Sequence, residues 1–324
     1  MKRCFALLFV LASTLSSVAL AADTNASSGI LGRWDFVCES ADGRTFPSWL
    51  EVKKSGHSTL VGAFVGEFGS ARPIAKIKQE KDHFWFTIPP QWEQRTDDLE
   101  FEFVLANDAL TGKTTDADGK VVRLSGKRAP SLKRDYAPKW SEPVDLFNGE
   151  NLDGWETQLD GVENGWVVRD GFLYNQKPGQ NLMTTQKFDD FKLHAEFRYP
   201  NGSNSGLYLR GRYEVQIEDG FGREAESHQI GGVYGHLTPS INAAKPAGYW
   251  QTYDITLVGR TITVELNGER VIDRQAIPGI TGGAIDSDEA APGPILIQGD
   301  HGPVEFRRLT ITPAKRNTPT PADQ

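Results

Sequence analysis

Between Gly29 and Pro313 the chain is built from short stretches in which apolar and polar residues alternate, broken by Gly, Pro, Asp-Gly and Asn-Gly. Alternation with period two sends successive side chains to opposite faces of a strand, and from Val144 onward no window sustains the period of an amphipathic helix. The expected fold is all-β. Trp34, Phe36 and Cys38 share one face, and Phe101 and Phe103 oppose Glu100 and Glu102. In 191–199, Phe191, Leu193, Ala195, Phe197 and Tyr199 face one way while Lys192, His194, Glu196 and Arg198 face the other, which makes His194 an outward residue rather than a ligand. Asn267-Gly268, set between Thr261–Leu266 and Glu269–Asp273, signals a two-residue hairpin, because that turn needs positive φ at both central positions.

The chain divides. Residues 29–133 read as a small β-barrel or β-sandwich with no useful cluster of acids, bases or metal ligands, which favours an accessory role. The segment Ala129 to Pro143 carries Pro130, Pro138 and Pro143 with mixed charges and no sustained periodicity, which places a linker at 134–143; residues 144–313 form a second β-rich domain, and the Pro- and Thr-rich tail 314–324 is expected to be disordered. Lys2 and Arg3 before the apolar run Phe5 to Leu15, then Ala19-Leu20-Ala21, read as a signal peptide over residues 1–21. The expected location is therefore periplasmic or secreted, after cleavage near Ala21, with no stable membrane insertion. Cleavage removes Cys4 and leaves Cys38 alone, so no internal disulfide is expected and Cys38 serves as buried filler. A net charge of -8 argues against nucleic acid and anionic membranes, whereas eight Trp and eight Tyr suit a neutral polyol that presents C–H faces to aromatic rings.

The most informative segment is Ser205 to Asp219. A three-residue loop at Gly211-Arg212-Tyr213 would set Leu209 opposite Val215 and Leu207 opposite Ile217 on the core side. The other face then carries Tyr208 opposite Gln216 and Arg210 opposite Glu214, with Glu218 or Asp219 at its end. A solvent-facing strand pair with one ion pair needs no function, but the long Gly-rich stretch 220–249 that follows offers His228, Tyr234, His236 and Asn242. A second polar cluster is Gln298-Gly299-Asp300-His301-Gly302. Arg307 alternates with Leu309 and Ile311, which suggests a partly buried ion pair.

These residues also form an ordered set. Asp145-Leu146-Phe147-Asn148-Gly149 with Leu152-Asp153-Gly154-Trp155, Trp166 to Leu173, Asn204 to Arg210, Tyr213 to Ile217, Asn242 to Gly248, Asn267-Gly268, Pro294 to Gln298, His301-Gly302 and Val304 to Arg307 resemble the 3-keto-disaccharide hydrolase domain family over about residues 144–313. The resemblance implies a concanavalin A-like jelly roll acting on a glycoside or oligosaccharide already oxidised at carbon 3. The ketone acidifies the carbon 2 hydrogen, so a base can remove it, an electrophile can hold the enolate and an acid can help expel the carbon 1 substituent. The resemblance implies Glu214 or Asp219 as base, Arg210 or a bound divalent metal as enolate holder, and His301 or His236 as acid. Asn204, Tyr208, Gln216, Trp250, Gln298 and Arg307 are the candidates for gripping the sugar. An Arg308 where members often carry Asn, and the acidic loop Asp286 to Glu289, depart from the family pattern. A non-catalytic, lectin-like carbohydrate-binding protein is the alternative, since one sandwich hosts both functions.

Overall fold

The computed structural model describes residues 29–159 and 161–315. The expected leader, residues 1–21, and nearly all of the expected disordered tail lie outside the described residues. Ala314 and Lys315 are described, and Ala314 pairs with Trp140.

Eight strands come first: β1 (Gly32–Glu39), β2 (Thr45–Ser55), β3 (Thr59–Val65), β4 (Arg72–Glu80), β5 (His83–Ile88), β6 (Leu99–Ala106), β7 (Ala109–Thr115) and β8 (Val121–Arg128). Each pairs antiparallel with the next and β1 also pairs with β8, so the meander closes into a barrel with no free edge. The inward set is the one the alternation marks: Trp34, Phe36, Cys38, Phe101 and Phe103 are all buried. Phe86 and Phe101 stack with ring centroids 5.0 Å apart. Cys38 is free, and burial pushes its thiol up to about 12, so it stays a neutral, inert filler.

The second half contains β9 (Val144–Asp145), β10 (Trp155–Thr157), β11 (Trp166–Arg169), β12 (Phe172–Asn175), β13 (Leu182–Thr184), β14 (Phe191–Arg198), β15 (Asn204–Leu209), β16 (Tyr213–Glu218), β17 (Gln251–Val258), β18 (Thr261–Leu266), β19 (Glu269–Ala276), β20 (Leu296–Ile297) and β21 (Val304–Pro313). They form a smaller sheet in the order β10-β13-β20-β15-β16 and a larger one in the order β11-β12-β21-β14-β17-β18-β19, with β9 added beside β21. The core between them takes Leu207, Leu209, Val215 and Ile217 from the small sheet and Phe191, Leu193, Ala195, Phe197, Tyr253 and Ile255 from the large one. Each Val, Leu, Ile and Phe among them contributes about 1.5–3 kcal/mol by leaving water. Asn267 and Gly268 both have positive φ, 55° and 85°, as the hairpin turn requires.

Barrel and sandwich meet along a packed seam. Trp49 and Val65 of the barrel belong to the sandwich's hydrophobic core, and the Arg33 guanidinium donates to the Pro278 carbonyl at 3.0 Å. The Pro-rich connection is fastened rather than free. Arg134 donates to Asp189 and Asp190, both at 3.1 Å, and the Ser141 amide donates to the Pro313 carbonyl at 2.9 Å.

Candidate active site

The small sheet turns its second face away from the core, and that face is polar. The β15–β16 register places Tyr208 opposite Glu214, Gly206 opposite Gln216 and Leu207 opposite Val215. The turn is therefore Arg210-Gly211-Arg212, with Arg210 at φ 55°. The expected face survives, because the expected and observed pairings have the same parity, but the expected partners do not. Glu214 meets Tyr208, and Arg210 leaves the face altogether. It is fully buried at the end of the sandwich, where it donates to the Gly259 carbonyl at 2.6 Å and to Asp189 and the Tyr213 hydroxyl, each at 3.3 Å. Arg210 holds structure here and cannot reach an enolate beside Glu214.

Glu214 lies over Gly206. A Cβ built on Gly206 would sit 2.3 Å from Glu214 Oε1 and 2.9 Å from its Cγ, so the carboxyl occupies space that only glycine leaves open. We expect Gly206→Ala to displace the carboxyl and lower kcat/KM by about 10²-fold in a folded protein, measured by steady-state kinetics alongside circular dichroism.

The protonation of Glu214 follows from two observations. Burial raises its carboxyl from an ordinary 4.5 to about 8, and the Asp300 charge adds to this while the Tyr208 bond and the His301 charge oppose it. Hydrogen-bond accounting agrees. The Tyr208 hydroxyl has one proton but two acceptors in reach, Glu214 Oε2 at 3.0 Å and the Gly282 carbonyl at 2.9 Å. With Glu214 protonated, the carboxyl donates to Tyr208 and Tyr208 donates to Gly282. On ionisation the Tyr208 proton swings to the carboxylate. Glu214 is thus a poised proton carrier, not a carboxylate held charged by an arginine.

The second expected cluster does reach this face. His301 Nδ1 lies 2.7 Å from Asp300 Oδ1, a contact that raises the imidazole above its usual value, and the Glu214 charge raises it further. Gln298 donates its backbone amide to the Gly206 carbonyl at 2.9 Å. By the alternation that sends Ile297 into the core, its side chain falls on the Glu214 side, and its buried Oε1 has no hydrogen-bond partner among the described residues. Tyr234 is anchored by its amide to the Glu214 carbonyl at 3.0 Å and meets the His228 ring edge-on at 5.1 Å. Gln216 is buried and accepts from the Ile217 amide at 3.1 Å. Two neighbours escaped the sequence reading, Gln158 and Asn181: Asn181 donates to Gln158 Oε1 at 2.7 Å, accepts from the Gly299 amide at 2.9 Å and so holds the base of the Asp300-His301 loop. The pair sits just beyond β10 and just before β13, strands only three residues long and too short for alternation to register.

The remaining candidates lie elsewhere. Asp219 accepts from the Gly202 amide at 2.9 Å and caps the turn before β15. Asn204 is the exception: it pairs with Glu218 at the end of the β15–β16 ladder, shares the face of Gly206 and Tyr208 by alternation, and has Gly302 against its backbone. His236 bonds the Ile280 carbonyl at 3.0 Å and packs edge-on against Trp49 of the barrel, where burial lowers its pKa, so it belongs to the seam. Asn242 braces its own loop through the Gly220 carbonyl at 2.6 Å. Trp250 and Arg307 sit on the outer face of the large sheet, with the Arg307 guanidinium 4.5 Å from the Trp250 ring and paired to Glu196. A bulge opposite Glu196–Phe197 turns Arg307 out of the alternation that had grouped it with Leu309. We expect Trp250→Ala to leave KM for a glycoside substrate about unchanged. The acidic loop is a seam element as well, with Asp286 accepting from Arg212 at 2.7 Å and Glu289 fully buried. Arg308 is exposed, 3.4 Å from the Thr310 hydroxyl. Among the described residues no group of three or more His, Cys, Asp and Glu side chains converges as a metal ligand set.

A buried carboxyl with a pKa near 8, a tyrosine relay, an Asp-His pair and several amides thus gather on one sheet face, a set suited to moving protons on a neutral polyol. A curated protein of Bacteroides thetaiotaomicron named 3-keto-disaccharide hydrolase is 23% identical over 186 residues, which cover 44% of this chain. The match spans 64% of that relative's own length. Two crystal structures of Parabacteroides distasonis ATCC 8503 proteins, provisionally named glycosyl hydrolases, also align. One shares 27% identity over 61% of this chain and 98% of the other at a TM-score of 0.47. The second shares 20% over 53% and 94% at 0.44. Residues 142–312, more than half of the chain, match the model of the 3-keto-alpha-glucoside-1,2-lyase-like domain, and the chain belongs to that family.

Proposed function

We propose that this protein is an exported carbohydrate-active enzyme that cleaves 3-keto-glycosides, including 3-keto-disaccharides, by elimination and hydration. The observation that carries the reading is the buried Glu214 carboxyl, raised to about 8, on the same face as the Asp300–His301 pair. The apolar run from Phe5 to Leu15 after Lys2 and Arg3 supports export.

In the proposed reaction the Glu214 carboxylate takes the carbon 2 proton, and the C–H electron pair becomes the enolate of the carbon 3 ketone. We assign the side-chain amides of Gln216 and Gln298, on the same sheet face, to donate to that oxygen. Collapse of the enolate breaks the bond between carbon 1 and its oxygen substituent, which takes a proton from the His301 imidazolium and departs. Water then adds at carbon 1 of the enone, His301 recovers a proton from it, and Glu214 returns a proton to carbon 2. The sum is hydrolysis. Stopping before water adds would make the protein a lyase. A carboxyl with a raised pKa is a stronger base toward carbon acids than an ordinary one, and burial keeps its ionised form poorly solvated.

The test follows free sugar release from 3-keto-disaccharides and from unoxidised disaccharides across pH. The expected outcome is turnover of the keto substrates alone, with a bell-shaped dependence, since the reaction needs Glu214 ionised and His301 protonated. Asp300 raises both groups, so Asp300→Asn should shift the bell toward lower pH. Binding of saturated sugars with no turnover of any keto substrate would support the lectin-like alternative instead.

A further inference from the structure

We propose that the open end of the barrel is a binding site for an uncharged, apolar ring system. A cavity of about 670 Å³ enters there, within the range that holds one small molecule, and closed eight-stranded barrels are the size that either fills with side chains or keeps room for such a ligand. Its inner wall is hydrocarbon from Phe46, Phe64, Leu99, Phe101 and Leu124. At the mouth stand Phe68 and Trp92, 57% and 60% exposed, two large aromatic surfaces left in water at the lip of an apolar hole.

The charges around the mouth select against anions. Asp42, Glu67, Glu93, Asp116 and Asp118 line it; Glu67, Asp118 and Glu93 pair with Arg44, Lys120 and the buried Arg72, which leaves Asp42 and Asp116 as the excess charge. A fatty acid or a phosphorylated ligand would meet net negative charge, whereas a neutral ring would not.

Backbone contacts tie this wall to the active site. The Glu67 backbone carbonyl accepts from the Gly283 amide at 2.8 Å, Gly282 packs against the backbone of Gly69, and the Gly282 carbonyl accepts the Tyr208 hydroxyl at 2.9 Å. The apolar ring is thus either a free molecule or the carbon 1 substituent of the substrate, the second case resting on the function proposed above.

The experiment titrates the chain lacking residues 1–21 with N-phenyl-1-naphthylamine, a neutral fluorophore, and with its sulfonated analogue 1-anilinonaphthalene-8-sulfonate. Saturable one-to-one binding of the neutral probe is expected, at least tenfold tighter than the anion, and weakened tenfold or more in the Phe68→Ala/Trp92→Ala double variant. Both side chains are exposed, so the barrel should keep its circular dichroism. Absence of saturable binding, equal affinity for the anion, or indifference to the double substitution would overturn the proposal. Competition of the neutral probe with turnover assigns the ring to the substrate, and binding with unchanged turnover assigns it to a separate ligand. The titration stands even if no 3-keto-glycoside is turned over.

Discussion

Replacing Glu214 by glutamine is expected to cut turnover by about 10²–10⁴-fold, the range for loss of a general acid or base, while making the fold more stable. The sign of the second effect comes from proton linkage. The native carboxyl ionises near 8 and the unfolded one near its ordinary 4.5. The folded chain therefore holds the proton more tightly, and wild-type stability falls as pH rises from about 4.5 through about 8. Glutamine has no proton to lose, so the advantage of Glu214→Gln should be small near pH 4, grow across that window and level off above it. A shift of this size corresponds to a few kcal/mol at most, with each kcal/mol moving Tm by about 2–4 °C in a chain of this kind. Thermal melts at pH 4, 7 and 9 check it. A residue kept for stability would show the opposite pattern, losing Tm on substitution.

Arg210→Ala is expected to fail in the other way, by unfolding. The guanidinium is fully buried and satisfies the Gly259 carbonyl, Asp189 and the Tyr213 hydroxyl, and its charge helps to hold the buried Glu289. Removing one member of such a network leaves uncompensated buried polar groups at a cost of about 3–5 kcal/mol. Alanine also inherits the positive φ of position 210, which adds strain. Chemical denaturation should show the loss directly, and whatever fraction remains folded should keep near-normal kcat. Retained stability with kcat lost would restore Arg210 to the active site.

The contrast between these two residues shows what the sequence could and could not carry. Faces were legible, because Leu207, Leu209, Val215 and Ile217 keep their side under any pairing of even parity. The register was not. Loops at Arg210-Gly211-Arg212 and at Gly211-Arg212-Tyr213 give the same alternation, and only the positive φ of Arg210 and its non-local partners decide between them. That single choice turns Glu214 from a stabilised carboxylate into a buried, neutral acid. Trp250 and Arg307 were misplaced for a related reason, since pairing in the large sheet and the bulge at Glu196–Phe197 join segments far apart in the chain. Closure of the barrel, made by β1 meeting β8, is equally non-local. Gly206 did carry a readable signal: glycine inside a strand marks close approach, and here the approaching group is the carboxyl on which the chemistry depends.

The most direct measurement compares single-turnover cleavage of a 3-keto-disaccharide carrying hydrogen or deuterium at carbon 2. If Glu214 removes that atom in a slow step, the deuterated substrate reacts more slowly in the wild type, and Glu214→Gln slows both reactions by about 10²–10⁴-fold. Equal rates for the two isotopes with full activity in Glu214→Gln would place bond breaking at carbon 1 without carbon 2 proton transfer and contradict the account.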